Sequence, residues 1–147
     1  MRPKEQILQF LQEKIQDNNC SLLDVGAGED FVRNVFINTV SLDIRGKPDV
    51  KADAHFLPFK STSFDYVIGI SVIEHLENPA IAVREMLRVA RIAVILWTDL
   101  TQHDMEANPE HKYCWTPKVS QQFLNMFDYQ SKAEVWRDFA LVGIIWK

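Results

Sequence analysis

The chain has 147 residues, of which 47% are hydrophobic and 24% are charged, and its formal net charge is -4. This length predicts one domain over residues 1–147 and excludes a catalytic domain joined to a separate substrate-binding domain. The apolar content excludes an intrinsically disordered chain. The acidic balance gives no general attraction to phosphate backbones, and it leaves nucleic acid open as a partner through a local basic patch.

The two cysteines and the N-terminal residues indicate in which cellular compartment the protein is located. Cys20 and Cys114 are far apart and form no C-x-x-C pair, which indicates free thiols rather than a disulfide framework or a zinc site. The first residues contain no long uncharged apolar run behind their basic side chains, and no apolar stretch approaches the ~20 residues that cross a bilayer. The sequence therefore predicts a cytoplasmic protein without a membrane segment.

In chain order, the spacing of apolar residues and the positions of Gly, Pro, Asn and Asp predict alternating helices and strands. The predicted elements are a helix over residues 3–17, a strand over 20–25, a short helix over 29–36, strands over 39–44, 49–52 and 64–70, a helix over 79–89, a strand over 91–97, a helix over 116–127, and strands over 131–137 and 140–146. The polar stretch 98–116 has no clear periodicity and is predicted to be a long functional loop.

This order of elements predicts an α/β fold. Alternating strands and helices up to residue 97 favour a mostly parallel, doubly wound sheet with helices on both faces. The last two strands are too close for a parallel crossover, so they form an antiparallel hairpin at one edge. Ligands of such sheets bind beyond the carboxyl ends of the strands, where the strand order reverses.

The first strand ends in a glycine turn with unusual charges. Gly26 and Gly28 follow the strand, but the third glycine of a dinucleotide-binding G-x-G-x-x-G turn is replaced by Phe31. Glu29 and Asp30 lie where a pyrophosphate would need free N–H groups and no competing anion. The turn therefore favours a ligand with positive charge, such as S-adenosylmethionine, which carries a sulfonium and an ammonium.

Acidic residues lie at or near the ends of three successive predicted strands. Asp43 lies 19 residues after Asp24, where a carboxylate can accept both hydroxyls of a ribose, and NAD would use it equally well. Asp53 can accept the exocyclic amine of an adenine. Apolar neighbours would cover the faces of the ring: Ile44, Ala54 and Phe56.

Four motifs of this chain resemble successive motifs of class I S-adenosylmethionine-dependent methyltransferases, including lipid-quinone members. They are Leu-Leu-Asp-Val-Gly-Ala-Gly at 22–28, Ser-Leu-Asp-Ile at 41–44, Ala-Asp-Ala-His-Phe-Leu-Pro-Phe at 52–59, and Phe-Asp-Tyr-Val-Ile-Gly-Ile-Ser-Val-Ile-Glu-His-Leu at 64–76. The resemblance spans about residues 20–100. It implies a Rossmann-like, seven-stranded sheet closed by the antiparallel hairpin, with S-adenosylmethionine as cofactor.

The resemblance also implies roles for single residues. Asp24, Gly26, Ala27 and Gly28 would line the methionine end, Asp43 and Ile44 would hold the ribose, Asp53 and Ala54 would meet the adenine, and Ser71 would lie beside the sulfonium. Asp30 departs from the family, which usually has a third small residue there. His75, directly after the fourth strand, is the candidate general base, and packing or capping of the following segment is its structural alternative.

The motifs bear on the methyl acceptor as well. Ser-Val-Ile-Glu at 71–74 replaces the Asn/Asp-Pro-Pro-Tyr tetrapeptide that holds amines, which disfavours methylation of a planar amide or base amine. Ser71, Glu74 and His75 resemble part of the Glu-x-x-Glu-His metal site of small-RNA 3′-end 2′-O-methyltransferases, but Ser71 replaces the first ligand, so no metal is predicted. The long loop carries further candidates for the acceptor pocket: His103, His111, Tyr113 and Trp115.

Three functions are left open by the sequence. The first is transfer of a methyl group from S-adenosylmethionine to an unidentified acceptor. The chain has no cap domain, so the acceptor would be macromolecular at an open site, or a second subunit would close the site in a homodimer. The second is a non-catalytic S-adenosylmethionine-binding or protein-interaction module of the same fold. The third, a nicotinamide-dependent oxidoreductase, is opposed by Glu29, Asp30 and the missing third glycine.

Overall fold

The computed structural model of this protein describes residues 3–99, 112–138 and 140–147. The helices in this part of the chain are α1 (Pro3–Lys14), α2 (Pro79–Val89) and α3 (Pro117–Leu124). The strands are β1 (Leu22–Val25), β2 (Thr39–Asp43), β3 (Val50–Lys51), β4 (Phe64–Ile70), β5 (Ala90–Asp99), β6 (Gln130–Trp136) and β7 (Ala140–Trp146). Two short 3-10 turns cover Val32–Asn34 and Ile73–His75.

The seven strands form one mixed sheet in the order β3-β2-β1-β4-β5-β7-β6. Strands β1 to β5 pair in parallel, whereas β7 pairs antiparallel with both β5 and β6. The predicted α/β fold with a C-terminal antiparallel hairpin is therefore confirmed. The chain order reverses between β1 and β4, so their carboxyl ends form the switch point at which ligands of such sheets bind.

Two apolar cores cover the two faces of the sheet, as helices on both faces require. On one face, α1 packs Phe10 and Leu11 with Leu22 of β1 and Ile95 of β5. The other face carries α2 and α3, and the alternate β1 residues Leu23 and Val25 point into this second core. The alternation of strand side chains therefore places Asp24 on the α1 face. The described helices are too short to cross a membrane.

The segment after the glycine turn differs from the prediction. Instead of a helix over residues 29–36, it contains only the 3-10 turn Val32–Asn34. Asp30 adopts a left-handed conformation with φ 52°, and its N–H bonds to the carbonyl of Ala27 at 2.9 Å. A residue in that conformation cannot continue a right-handed helix, so the helix has no first turn.

The predicted long loop also differs in part. Residues Thr98 and Asp99 extend β5, and residues 112–116 lead into α3 without forming a helix or a strand. Trp115 is 7% exposed and packs in the core with Phe123, their ring centroids 5.0 Å apart. Burial against α3 leaves little of this ring exposed, and its place in an acceptor pocket stays a prediction. The predictions for His103 and His111 lie outside the described residues.

Candidate functional site

An open cleft of about 710 Å³ lies at the carboxyl ends of β1, β2 and β4. Its volume is within the range of about 300–1,000 Å³ that is common for small-molecule sites. The cleft brings together eight residues singled out in the sequence: Gly26, Gly28, Asp43, Ile44, Asp53, Ala54, Ser71 and His75. Other residues line it that the sequence did not single out for this site: Arg45, His55, Val72, Glu77 and Lys112.

Asp24 and Ala27 do not line the cleft. Both are buried, Asp24 within β1 with an exposed fraction of 1% and Ala27 within the glycine turn with 7%. Phe56, predicted to cover a ring face, is 74% exposed and lies beside a neighbouring depression rather than in the cleft lining. Ile44 and Ala54 remain as the apolar residues of the predicted set that face the cleft.

The two glycines of the turn serve different needs. Gly26 has φ +73°, and a Cβ added there would lie 2.6 Å from Cγ2 of Val72, so packing excludes any side chain. Gly28 has φ +53°, and a Cβ there would meet no atom within 4 Å. The first glycine lets β1 pass close to the segment after β4, whereas the second leaves open space at the cleft.

The N–H groups of this turn are already bound by protein acceptors. Those of Gly26 and Ala27 donate to the carbonyl of Leu42 at 2.8 and 3.1 Å. The N–H of Gly28 donates to Oδ2 of Asp43 at 3.0 Å. The turn is thereby tied to the end of β2, and these three donors are not presented to a phosphate. The short 3-10 turn that follows supplies no α-helix dipole for an anion either.

Asp24 is the most unusual group near the cleft. Within the described ranges, neither of its carboxylate oxygens has a hydrogen-bond partner. Burial and, to a smaller extent, the negative charges of Asp30 and Asp43 together raise the pKa of Asp24 to about 8. An ionised carboxylate in this position is therefore costly until a positive charge approaches it.

Asp30 occupies the position where the family usually has a third small residue. Its left-handed φ of 52° is one that aspartate tolerates better than most residues. Its Oδ2 accepts from Nε of Arg33 at 3.0 Å, so an adjacent cation compensates the acid. Arg33 also bonds to Oγ of Ser41 at 3.4 Å and forms an ion pair with Asp49. This polar network connects the glycine turn to β2 and to the chain before β3.

Asp43 and Asp53 are held by backbone donors at the ends of their strands. Besides the contact with Gly28, Asp43 accepts the N–H of Arg45 through Oδ1 at 2.9 Å. Asp53 accepts the N–H of His55 at 2.9 Å and approaches the Nδ1 atom of that ring at 2.6 Å, both through Oδ1. The backbone N–H and then the ring of His55 lower the pKa of Asp53. Both carboxylates thus have fixed positions at the cleft.

His55 is a cleft residue that the sequence interpretation missed. Its Nε2 accepts the N–H of Asn78, the N-cap of α2, at 3.1 Å. The one local signal was its position two residues after an aspartate, the spacing at which an Asp side chain bonds to the following backbone.

The chain after β4 forms the opposite wall of the cleft. Ser71 has φ 49° and donates its N–H to the carbonyl of Trp97 at 2.7 Å, a left-handed conformation of the kind that concentrates at functional sites. His75 ends the 3-10 turn that follows. Lys112 donates its N–H to the carbonyl of Glu74 at 2.8 Å and pairs with Glu77. The chain before α3 is thereby fixed to this wall.

No cluster of three His, Cys, Asp or Glu side chains suited to a metal ion occurs among the residues that the structure describes. Glu74, considered above as part of a metal pattern, is 2% exposed.

Comparison with known proteins agrees with this arrangement. Residues 23–97 match the family model described as a methyltransferase domain. The curated protein MJ1252 of Methanocaldococcus jannaschii is 35% identical over 95 residues, which cover 56% of this chain and 37% of that protein. The chain therefore spans well under half the length of this curated relative.

Solved structures share the fold at low sequence identity. An S-adenosylmethionine-dependent methyltransferase of Aquifex aeolicus superposes with a TM-score of 0.76 at 13% identity, over 99% of this chain and 93% of that one. Another from Archaeoglobus fulgidus gives 0.74 at 16% identity, over 98% and 94%. A Haloferax volcanii methyltransferase complex with the Trm112 activator gives 0.74 at 10% identity, over 96% and 88%. Because the family model covers just over half of the sequence, the chain belongs to the methyltransferase domain family.

Proposed function

We propose that this protein transfers a methyl group from S-adenosylmethionine to an acceptor that binds beside the cleft. The observation that carries the proposal is the convergence of Gly28, Asp43, Asp53 and Ser71 on one cleft at the switch point of the sheet. The resemblance of the motifs assigned these residues to one cofactor. Their meeting at one cleft is what such an assignment requires.

The chemistry of the cleft fits this cofactor better than a dinucleotide. Three N–H groups of the glycine turn are bound within the protein, so a pyrophosphate would lack its usual donors. The buried carboxylate of Asp24 lacks a partner in the described part of the chain, and a cation nearby would stabilise its charged form. A ligand with a sulfonium and an ammonium supplies that charge. This comparison also weakens the nicotinamide alternative.

The proposed contacts follow the motif assignment. Asp43 would accept the ribose hydroxyls, with Ile44 beside the sugar, and Asp53 would accept the adenine amine, with Ala54 against the ring. Gly26, Ala27 and Gly28 would border the methionine end with Asp24 beneath them, and Ser71 would lie beside the sulfonium. Each of these roles is a prediction for ligand-binding experiments.

The chemical step requires little from the protein. The sulfonium supplies an already activated methyl group. The protein must therefore align the acceptor and exclude water. His75 lines the cleft after β4, and we propose it as the base that takes a proton from the acceptor when the acceptor must lose one.

Several finer expectations belong to the same proposal. The lipid-quinone type of motif, a macromolecular acceptor, closure by a second copy of the chain, a single domain and a cytoplasmic location all remain predictions. The Haloferax methyltransferase is bound to a separate activator chain, which makes a partner subunit a further arrangement to test here.

Calorimetric titration with S-adenosylmethionine and S-adenosylhomocysteine tests the proposal directly. We expect both to bind, with NADH as the control that does not. No heat with either adenosyl ligand would contradict the proposal. Binding without transfer to any acceptor would instead favour the non-catalytic module of the same fold.

Replacement of Asp43 tests the ribose contact. We expect Asp43→Ala to weaken binding of S-adenosylhomocysteine by about 1.5–3 kcal/mol, the usual contribution of a hydrogen bond to a charged group. Asp43→Asn is the matched control, because its amide oxygen can still accept the N–H of Gly28 and hold the turn. Loss of affinity in both variants, with the thermal midpoint of Asp43→Asn near that of the wild type, assigns the carboxylate to the ligand. Unchanged affinity in Asp43→Ala would remove the assignment.

A further inference from the structure

His55 connects the cleft to the start of helix α2. Its side chain is 13% exposed, and its two ring nitrogens contact different elements. Nδ1 lies 2.6 Å from Oδ1 of Asp53, and Nε2 lies 3.1 Å from the backbone nitrogen of Asn78. Asn78 in turn caps α2, because its Oδ1 accepts the N–H of Ile81 at 3.1 Å. The imidazole therefore links the loop that carries Asp53 to the N-terminal end of α2.

These two contacts determine where the proton of the ring lies. A backbone N–H can only donate, so Nε2 of His55 must accept and carries no hydrogen. The proton of the neutral ring is then on Nδ1, which donates to Asp53. The same oxygen of Asp53 also accepts the N–H of His55 at 2.9 Å. Oδ1 of Asp53 is thus occupied by two donors from one residue.

The second oxygen of Asp53 remains available to a ligand. In the part of the chain that the structure describes, the hydrogen bonds of this carboxylate are made by Oδ1; its side chain is 54% exposed and lines the cleft, so Oδ2 is open to water or to a ligand. The contacts with His55 lower the pKa of Asp53, so the carboxylate is ionised and acts only as an acceptor. An ionised acceptor of fixed direction favours a ligand group that donates.

We propose that His55 is a positioning residue that orients Asp53 and thereby makes the cleft selective for a purine with a 6-amino group. This inference rests on the proposed function, since it assumes that Asp53 meets the base of the cofactor. His55 itself touches no reacting atom. It acts by holding Oδ1 and leaving Oδ2 directed to the ligand.

The selectivity arises from a lost hydrogen bond rather than from shape. A purine without the 6-amino group fits the same space but gives Oδ2 nothing to accept, so the carboxylate is left partly desolvated and unpaired. If Asp53 turns freely, water satisfies it with either ligand, and the difference in affinity decreases. Orientation by His55 is therefore what converts the acid into a selective contact.

Two variants of His55 test its contact with Asp53 and its contact with Asn78 separately. His55→Asn retains a short amide whose N–H can donate to Asp53 and loses the acceptor for Asn78. His55→Gln has an amide that reaches toward Asn78 and loses the ring donor to Asp53, while the backbone N–H of residue 55 still donates to Oδ1. Each variant removes one of the two ring contacts, so similar thermal midpoints are expected, and a difference in ligand selectivity between them reports on Asp53.

The readout is the ratio of the dissociation constants for S-adenosylhomocysteine and its analogue in which purine replaces adenine. For the wild type we expect a preference for the adenine ligand of roughly 10- to 100-fold, as for a hydrogen bond to a charged group. His55→Asn should retain most of this preference. His55→Gln should reduce it severalfold toward the value of Asp53→Ala, in which the acceptor is missing, because only the backbone N–H of residue 55 then holds Oδ1.

The outcomes distinguish this inference from the proposed function. A wild-type preference that persists in His55→Gln overturns the role of His55, as does equal binding of the two ligands by the wild type. Failure of the wild type to bind either ligand overturns both the inference and the proposed function. In nitrogen-15 NMR spectra, a proton on Nδ1 and a bare Nε2 support the arrangement, and the reverse pattern overturns it.

Discussion

Replacement of Asp24 by asparagine is expected to stabilise the ligand-free protein above neutral pH. The carboxyl has a pKa of about 8 in the folded protein against 3.8 in an ordinary environment. Between these values the folded protein holds a proton that the unfolded chain has released, so the free energy of unfolding falls as the pH rises from about 4 to about 8. Asparagine cannot titrate, so the variant should be more stable than the wild type by about 2–5 kcal/mol at pH 8.5.

Chemical denaturation at pH 5 and pH 8.5 measures this difference. At pH 5 the carboxyl of Asp24 is protonated in the folded protein and the pH is only about one unit above the pKa of the unfolded chain, so wild type and Asp24→Asn should differ by about 1–2 kcal/mol. Asp128→Asn is the matched control, because Asp128 is exposed. It should leave the pH dependence of the wild type unchanged. Equal stability of the wild type and Asp24→Asn at both pH values would contradict the assignment of an uncompensated buried charge.

The same substitution should weaken cofactor binding. A cationic ligand favours ionised Asp24, so its binding near neutral pH should release a proton from the wild type and not from Asp24→Asn. Calorimetry in two buffers with different ionisation enthalpies measures that proton. The loss of charge should lower the affinity for S-adenosylmethionine about tenfold or more, equivalent to about 1.4 kcal/mol. A gain in stability with a loss of affinity would identify Asp24 as a group kept for binding.

Of the two glycines of the turn, Gly26 is expected to matter mainly for the stability of the fold and Gly28 mainly for ligand binding, when each is replaced by alanine. In Gly26→Ala the new methyl group would lie 2.6 Å from Cγ2 of Val72 on a backbone with φ +73°. The crowding and the left-handed backbone together should reduce the free energy of unfolding by about 2–4 kcal/mol. In Gly28→Ala the methyl group meets no atom within 4 Å, so the loss should be about 1 kcal/mol, from the backbone conformation alone.

For ligand binding, Gly28→Ala should be the variant with the direct effect. The methyl group of Gly28→Ala enters the open space of the cleft and should reduce the affinity for S-adenosylhomocysteine while the protein stays folded. A second substitution, Val72→Ala, should restore part of the stability of Gly26→Ala, because it removes the atoms in contact. Equal destabilisation by the two alanines, or no rescue by Val72→Ala, would contradict the distinction between a packing glycine and a cleft glycine.

Some elements could be predicted to the residue from local pattern. The structure places β4 at Phe64–Ile70, β7 at Ala140–Trp146 and α2 at Pro79–Val89, the predicted bounds in each case. Each is a continuous apolar or amphipathic run with strong boundary residues. The predicted helix over 29–36 failed because one residue, Asp30, adopts a left-handed φ that no pattern of apolar residues reveals.

Residues of the candidate site could be predicted from the sequence where the order of the parallel strands alone decides their position. Gly28, Asp43 and Ser71 each end or follow a strand, and parallel strands bring those ends together. The contribution of Arg33 and His55 was not predictable, since their partners Asp49 and Asn78 lie 16 and 23 residues away in the sequence. The burial of Asp24 without a hydrogen-bond partner among the described residues likewise depends on which side chains surround it in the fold, and the sequence alone does not show that.

The polar network around Arg33 has a consequence for how the sheet opens to solvent. Strand β3 has two residues, and the chain before it is held to β2 through Asp49, Ser41 and Arg33 rather than by a helix laid over an apolar core. Backbone amides held in this way exchange their hydrogens through small local openings, whereas those of β4 and β5 require larger ones. Asp43, which we propose to bind the ribose, lies at this edge, so we expect a bound cofactor to slow hydrogen exchange there first, and its affinity to include the cost of keeping the edge closed.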